Sequence, residues 1–508
     1  EAINGPVRSE PLNRNFSYLD SEKIGRKDLP FVNVKDFGAV GDNVTDDTSA
    51  IQAAIDSITT TGALQFEPGK HYRITSTLNI DVSKVRIIEG NNAYIRVDGN
   101  FDGVIWHGNK DQKGTGPDTS QPTQLKDKEF SSIIRDLQFY SLKDESGAYQ
   151  GTGLVVHNIH SPIIQNCHFF NLDYGIEVRG TTSRNILINA IHCWDNRTAG
   201  IYFSENGEVH QCVISNSFIS YSKYSVLVGN GHKLYNLLLS NCDLEAQANQ
   251  NNGFESFIHF VGAVNDEIQF DNVIFQDHKI GTKELVHIEN FQRLIFNRCY
   301  FSNTLGKAIY LLNGHTVEID GIFERCADAI EFVDVQDIKA SGVFKNLTGG
   351  CIRGRGSTDR FNIQGIIAFD VEFIARINTT ESLLGCNFSN NVGRPRRVPA
   401  IEIKSENNIW SLNVCNNVLY WNSDEDYNSA GYAISVISGN KMFATNVSNN
   451  TINLRSNHSI NGINGLEVEA KYATEGVIIK NNIVDQLKAS SGKKAFRLPP
   501  ASSTVITE

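Results

Sequence analysis

Gly175-Ile176-Glu177-Val178, Gly200-Ile201-Tyr202-Phe203 and Ser225-Val226-Leu227-Val228 are three short runs, 25 residues apart, in which apolar and polar side chains alternate. Alternation with period two marks a strand with one buried face. The same pattern returns at Ile258-His259-Phe260, Val286-His287-Ile288, Ile309-Tyr310-Leu311, Ile330-Glu331-Phe332 and Ile352-Arg353-Gly354, and later at Ile401, Ile434 and Leu466. A second element keeps step with it: a polar residue, most often Asn, then two variable positions, then a large apolar residue. It begins at Asn166, Asn189, Asn216, Asn241, Asn272, Asn297 and Asp320, with spacings of 23, 27, 25, 31, 25 and 23 residues. It returns at Asn416, Asn449 and Asn481, 33 and 32 residues apart.

Two or three strands in each such repeat, with no helix between them, leave few architectures. A propeller blade needs ~40–45 residues, and a leucine-rich repeat would show its Leu ladder. The pattern predicts an all-β chain folded as a right-handed parallel β-helix, each coil adding one strand to each of several parallel sheets. The 53 Asn among 508 residues then have a cause. Asn tolerates left-handed turns, and Asn side chains stacked coil on coil form hydrogen-bonded ladders. An open solenoid end must be covered. Residues 46–58 predict a capping helix, with Ile51, Ile55 and Ile58 on one face and Asp46 and Asp47 at its start; Gly62 to Gly69 read as the first strand and turn.

Composition narrows function. A net charge of −11 with 20% charged and 40% hydrophobic residues excludes a long disordered chain and opposes general nucleic-acid binding. No apolar run is long enough to span a bilayer, so no membrane insertion is expected. The nine Cys lack Cys-x-x-Cys spacing and lie mostly in apolar runs, so they read as small buried hydrophobes. No cofactor or metal site is expected.

Val34-Lys35-Asp36-Phe37-Gly38-Ala39-Val40-Gly41-Asp42, then Thr45-Asp46-Asp47-Thr48 and Ala50-Ile51-Gln52-Ala53-Ala54-Ile55, then Leu64 to Gly69 and Tyr72-Arg73-Ile74, resemble the N-terminal block of the pectin-lyase-like (pectate-lyase-3) superfamily. That block is common in bacteriophage tailspikes and appendages. The likeness is specific over about residues 31–80; beyond it, only the coil pattern continues. The resemblance implies a homotrimer on a phage virion that binds, and usually cleaves, a host cell-surface glycan or teichoic acid. It implies further that residues 1–30 form a helical lead joining other tail proteins. On this reading 31–490 is the β-helix and 491–508 a linker toward a C-terminal domain. The alternative is a non-catalytic receptor-binding adhesin of the same fold. The polygalacturonase motifs are not assembled in order along the coils, which puts pectin hydrolysis in doubt.

Two outward columns carry the candidate site residues. One follows the middle of the alternating strand: Glu177, Tyr202, Leu227, His259, His287, Tyr310, Glu331 and Arg353, with Glu289 and Arg355 two residues on. Tyr202, His259, His287, Tyr310, Arg353 and Arg355 are its candidate substrate-binding residues. The other column, after the Asn element, offers Trp194, Asp195 and Tyr221 for binding, with Glu245 and Asp277 for catalysis. Glu245 and Asp277, on adjacent coils ~5 Å apart, suit a retaining glycosidase. Asp195 and Glu245, two coils or ~9.6 Å apart, lie near the upper inverting limit. For a phosphodiester polymer, His287, Glu289, Glu331 and Arg353 serve better, with His as acid/base and Arg holding phosphate. The catalytic candidates Glu245, Asp277, Glu289 and Glu331 are all expected to face solvent.

Overall fold

A computed structural model describes residues 30–108, 132–246, 253–277, 283–421, 431–453, 463–472, 475–485, 496–497 and 505–507. The helical lead, Asp424 to Asp426 and most of residues 491–508 lie outside the described residues. One coil shows the plan: Ser183–Asn189 belongs to a first sheet, His192–Trp194 to a second and Ala199–Phe203 to a third. The next coil repeats it with Glu208–Ser215, Phe218–Ser220 and Tyr224–Val228, each pairing parallel with its predecessor. The pairing continues from Phe31 to Thr507, so the chain is the expected parallel β-helix with three faces. Parallel connections of this kind are almost always right-handed. Among the described residues, no helix is long and apolar enough to cross a membrane.

The corner between first and second sheets explains the Asn element. Asn166, Asn216, Asn241, Asn272, Asn416, Asn449 and Asn481 have φ between 51° and 55°. That left-handed conformation turns the chain within one residue. In two coils the left-handed residue is the one after the expected Asn, Ala190 (φ 52°) and Arg298 (φ 53°). Asn189 instead accepts a hydrogen bond from the Asn216 amide at 2.9 Å.

Inside, alternate strand residues stack on their counterparts. Phe275, Phe301, Phe323 and Phe344 form a column with ring centroids 4.6–4.7 Å apart. All nine Cys are free and eight are buried; burial pushes the Cys167 and Cys299 thiols up to about 12. Toward the C-terminal coils the core holds a polar ladder, Asn391, Asn417, Asn450 and Asn482, each amide donating to the next at 2.9 Å.

The N-terminal cap is the helix Thr48–Ser57, whose Ile51, Ala54 and Ile55 are buried. They meet Leu64, Phe66, Leu78 and Ile80 at the end of the core. The acidic pair at its start divides its work. Asp46 accepts from the Thr48 backbone N–H at 3.1 Å. Asp47 caps nothing with its side chain; it is buried and accepts from the Val40 and Gly41 N–H groups at 2.7 and 3.1 Å. Burial pushes its pKa up. The first strand is not Gly62–Gln65, as expected, but Phe31–Asn33, which pairs with it ahead of the helix.

Asn417 tests the ladder. Its side chain accepts from the Asn391 backbone and amide N–H groups and donates to the Phe388 carbonyl and Asn450. Asn417→Ala orphans buried partners at about 1–3 kcal/mol each. Urea unfolding of the variant should show a loss of at least that size.

Candidate functional site

The strand Asp243–Ala246 places Asp243 and Glu245 outward on either side of buried Leu244. Asp243 lies between Phe218 and Ile274 of the flanking coils, and Glu245 between Ser220 and Gln276. The Gln276 amide donates to Asp243 Oδ1 at 3.2 Å. Burial, and next the charge of Glu245, push the Asp243 carboxyl above its ordinary range. Two residues along a parallel strand separate the pair by ~6.6 Å.

The approach to the pair is aromatic. Trp194 is 50% exposed and Phe218 56%. The Trp194 ring lies 6.2 Å from that of His192 and 6.4 Å from that of Tyr221. Ser220 stands between Trp194 and Glu245 in the register. Its small side chain opens a trough two coils or ~9.6 Å wide, walled by an indole and a carboxylate.

The structure revises the other members of this column. The register opposite Glu245 is Gln276; Asp277 falls opposite buried Ala246. A shift of one residue in a strand changes the face, so the proposed ~5 Å retaining pair loses its basis. Asp195 is the left-handed residue after Trp194 (φ 53°). It takes a hydrogen bond from Tyr149 and sits one position past the row of Glu245.

On the third sheet, Glu177, Tyr202, Leu227, His259, His287, Tyr310, Glu331 and Arg353 occupy successive register positions. Their rings stack: Tyr224 to His259 at 5.1 Å, His259 to His287 at 4.9 Å and His287 to Tyr310 at 5.1 Å. His287 Nε2 donates to Glu289 at 2.8 Å, and its Nδ1 is 3.9 Å from Glu284. Burial opposes charge on this ring, but the hydrogen bonds and charges of Glu284 and Glu289 outweigh it and raise its pKa. The hydrogen bond from His287 is the first cause that draws Glu284 down to about 2. His259 is pushed down to about 4, by burial and then by the charge of His287.

Glu331 does not face solvent. It is 3% exposed, held by Lys307 at 3.2 Å and Arg355 at 3.1 Å. Arg353 pairs with Asp328 at 3.3 Å and lies over the Phe373 ring. Both arginines expected to hold an anionic group are thus engaged with carboxylates.

Sequence reasoning missed Asp243 and Glu284. The alternation Asp243-Leu244-Glu245 was a usable signal for the first, since residues i and i+2 share a face. Glu284 reaches His287 from the turn before the strand, and period-two counting gives no such signal.

A parallel β-helix with carboxylates and exposed aromatic rings on its outer faces defines the class. The chain belongs to the rhamnogalacturonase A/epimerase, pectate lyase-like family, whose model matches residues 31–331. An uncharacterized 65.4 kDa protein in the cps region of Klebsiella pneumoniae is 38% identical over 85 residues, 16% of this chain and 15% of that protein. The match thus spans about a seventh of that relative's length. Among solved structures, a tailspike protein mutant of E. coli bacteriophage HK620 with a hexasaccharide is 11% identical, covering 90% of this chain and 79% of that one, with a TM-score of 0.47. The Azotobacter vinelandii mannuronan C-5 epimerase AlgE6 A-module is 13% identical, covering 89% of this chain and 100% of that one, at 0.33. Superposition at that level carries no function across.

The stacked histidines give a pH test. The raised His287 pKa contributes stability that is full below ~6.5 and lost as pH rises through the folded value. Glu284 contributes above the ordinary carboxylate range and loses its contribution as pH falls toward about 2. His287→Gln should therefore cost more stability at pH 5 than at pH 9 in thermal melts. In NMR titration, His259 should ionise near about 4 in the parent chain and higher in the variant. An unchanged His259 titration would show that the two rings do not interact.

Proposed function

We propose that the protein binds a host cell-surface polysaccharide across its second sheet and hydrolyses it at Asp243 and Glu245. We place it in a homotrimeric tail appendage of a phage virion, with residues 1–30 meeting other tail proteins. The observation that carries the catalytic reading is the inequality of the pair. Glycoside hydrolysis needs one protonated and one ionised carboxyl group. The raised pKa of Asp243 suits it to protonate the glycosidic oxygen. Glu245, at the edge of the Ser220 trough, takes the proton of the attacking water. Their ~6.6 Å strand spacing falls at the lower edge of the ~6.5–9.5 Å that leaves room for that water, so the reaction inverts the anomeric centre. Trp194 and Phe218 offer faces for sugar rings.

Family membership and the resemblance of residues 31–80 to the block found in phage appendages support a polymer substrate and a virion location. A phosphodiester substrate is less well supported, because Arg353 and Arg355 already hold Asp328 and Glu331.

Incubation with a panel of capsular polysaccharides and teichoic acid, read by size-exclusion chromatography, tests the reading. Asp243→Asn and Glu245→Gln should each slow cleavage by about 10²-fold or more, the usual share of an acid or base, with binding retained. Trp194→Ala should weaken binding, whereas Asp277→Asn and Glu331→Gln should leave cleavage per folded molecule intact. Unchanged polymer length with retained binding would establish the adhesin instead. Product with retained anomeric configuration would contradict the assigned geometry.

A further inference from the structure

The outer side chains of the second sheet change character along the solenoid. Around Asp243 they are aromatic and acidic. From Ile274 the same register column runs through Tyr300, Val343 and Thr451 among other residues to Ile483, eight steps without a formal charge. At ~4.8 Å a step the strip is ~38 Å long. Ile322, Ile367, Val392 and Val418 are each at least 36% exposed and Ile483 is 59% exposed. Single exposed apolar residues are ordinary, but a contiguous strip marks a surface that something covers. The preference belongs to this face and not to these coils. The third sheet carries Glu331, Arg353, Arg376 and Glu402 in consecutive rows, and the first carries Glu318 beside Lys339.

We infer that the strip is where copies of this chain meet, lying side by side with their long axes parallel. In a cyclic assembly about an axis along the solenoid, a residue facing that axis meets its own copies at the same height. A charge there would be desolvated against itself, and like charges across an interface repel. A column with no formal charge over its whole length is what that symmetry demands. An unrelated partner would set no such condition, since charges of its own could complement those of the strip. Asp243, the next member of the column on the N-terminal side, ends the uncharged run, so the carboxylate pair stays clear of the joint. The inference does not rest on the catalytic reading.

Sedimentation velocity of the full chain at micromolar concentration tests it. The parent should sediment as a closed oligomer. Ile367→Lys with Val392→Lys should give monomers with unchanged far-UV circular dichroism, because both side chains already face solvent in the single chain. Ile367→Thr with Val392→Thr keeps β-branched residues in the strands and should weaken association at least tenfold. Lys404→Ser, on the third sheet, should leave the mass unaltered. A monomeric parent overturns the inference, as does a lysine variant that keeps the parent's mass. A monomeric parent that melts lower with the lysines would mean the chain covers the strip itself, which overturns it equally.

Discussion

Parallel stacking at ~4.8 Å makes every residue the neighbour of its counterpart one coil on, and a single left-handed corner residue decides which counterpart that is. Outside glycine, that conformation costs roughly 1–2 kcal/mol, least for Asn. Corners built on Asn216 or Asn241 therefore form at little expense. Ala190 and Arg298 adopt the same angles with less intrinsic tolerance, held by the ladders on either side. Beside them the Asn216 amide donates to Asn189 and the Asn297 amide to Asp271, at 2.9 and 2.8 Å. The asparagines thus act in two ways, setting the turn in some coils and tying the coils together in others.

This division governs what could be read from sequence. The third-sheet column from Glu177 to Arg353 was legible to the residue, because each strand there is an apolar–polar–apolar triplet with one possible phase. The second-sheet column was not read correctly, although the count was available. Four residues beyond Asn241 is Glu245, and four beyond Asn272 is Gln276; Asp277 is a fifth. Pairing by residue type overrode the count and put an acid on the wrong row. The burial of Glu331 was beyond the pattern altogether. An outward position in a strand says nothing about whether Lys307 and Arg355 will fold over it.

The third-sheet cluster shows how a solenoid keeps charges at its surface. Like charges in adjacent rows are separated by only one coil, so each such pair needs relief. His259 and His287 share a stack by leaving His259 neutral. Arg353 and Arg376 are consecutive in register, and both lie over Phe373, at 4.8 and 4.1 Å from its centroid. Burial lowers the Arg376 pKa, with Arg353 adding to the effect. Elsewhere the rows alternate in sign, as Glu331 with Arg353 and Glu318 with Lys339 do.

The same constraint argues for where a catalytic pair can sit. At an effective dielectric of 20, two carboxylates ~4.8 Å apart on adjacent coils repel by about 3.5 kcal/mol, against about 2.5 kcal/mol at ~6.6 Å along one strand. The along-strand arrangement of Asp243 and Glu245 is therefore the cheaper way to hold two acids on one face. It also permits unequal surroundings, because each acid has its own pair of neighbours: Phe218 and Ile274 for one, Ser220 and Gln276 for the other. Two acids stacked in one column would share a similar environment and a common row of neighbours. A solenoid that must separate an acid from a base does so more readily along its strands than across them.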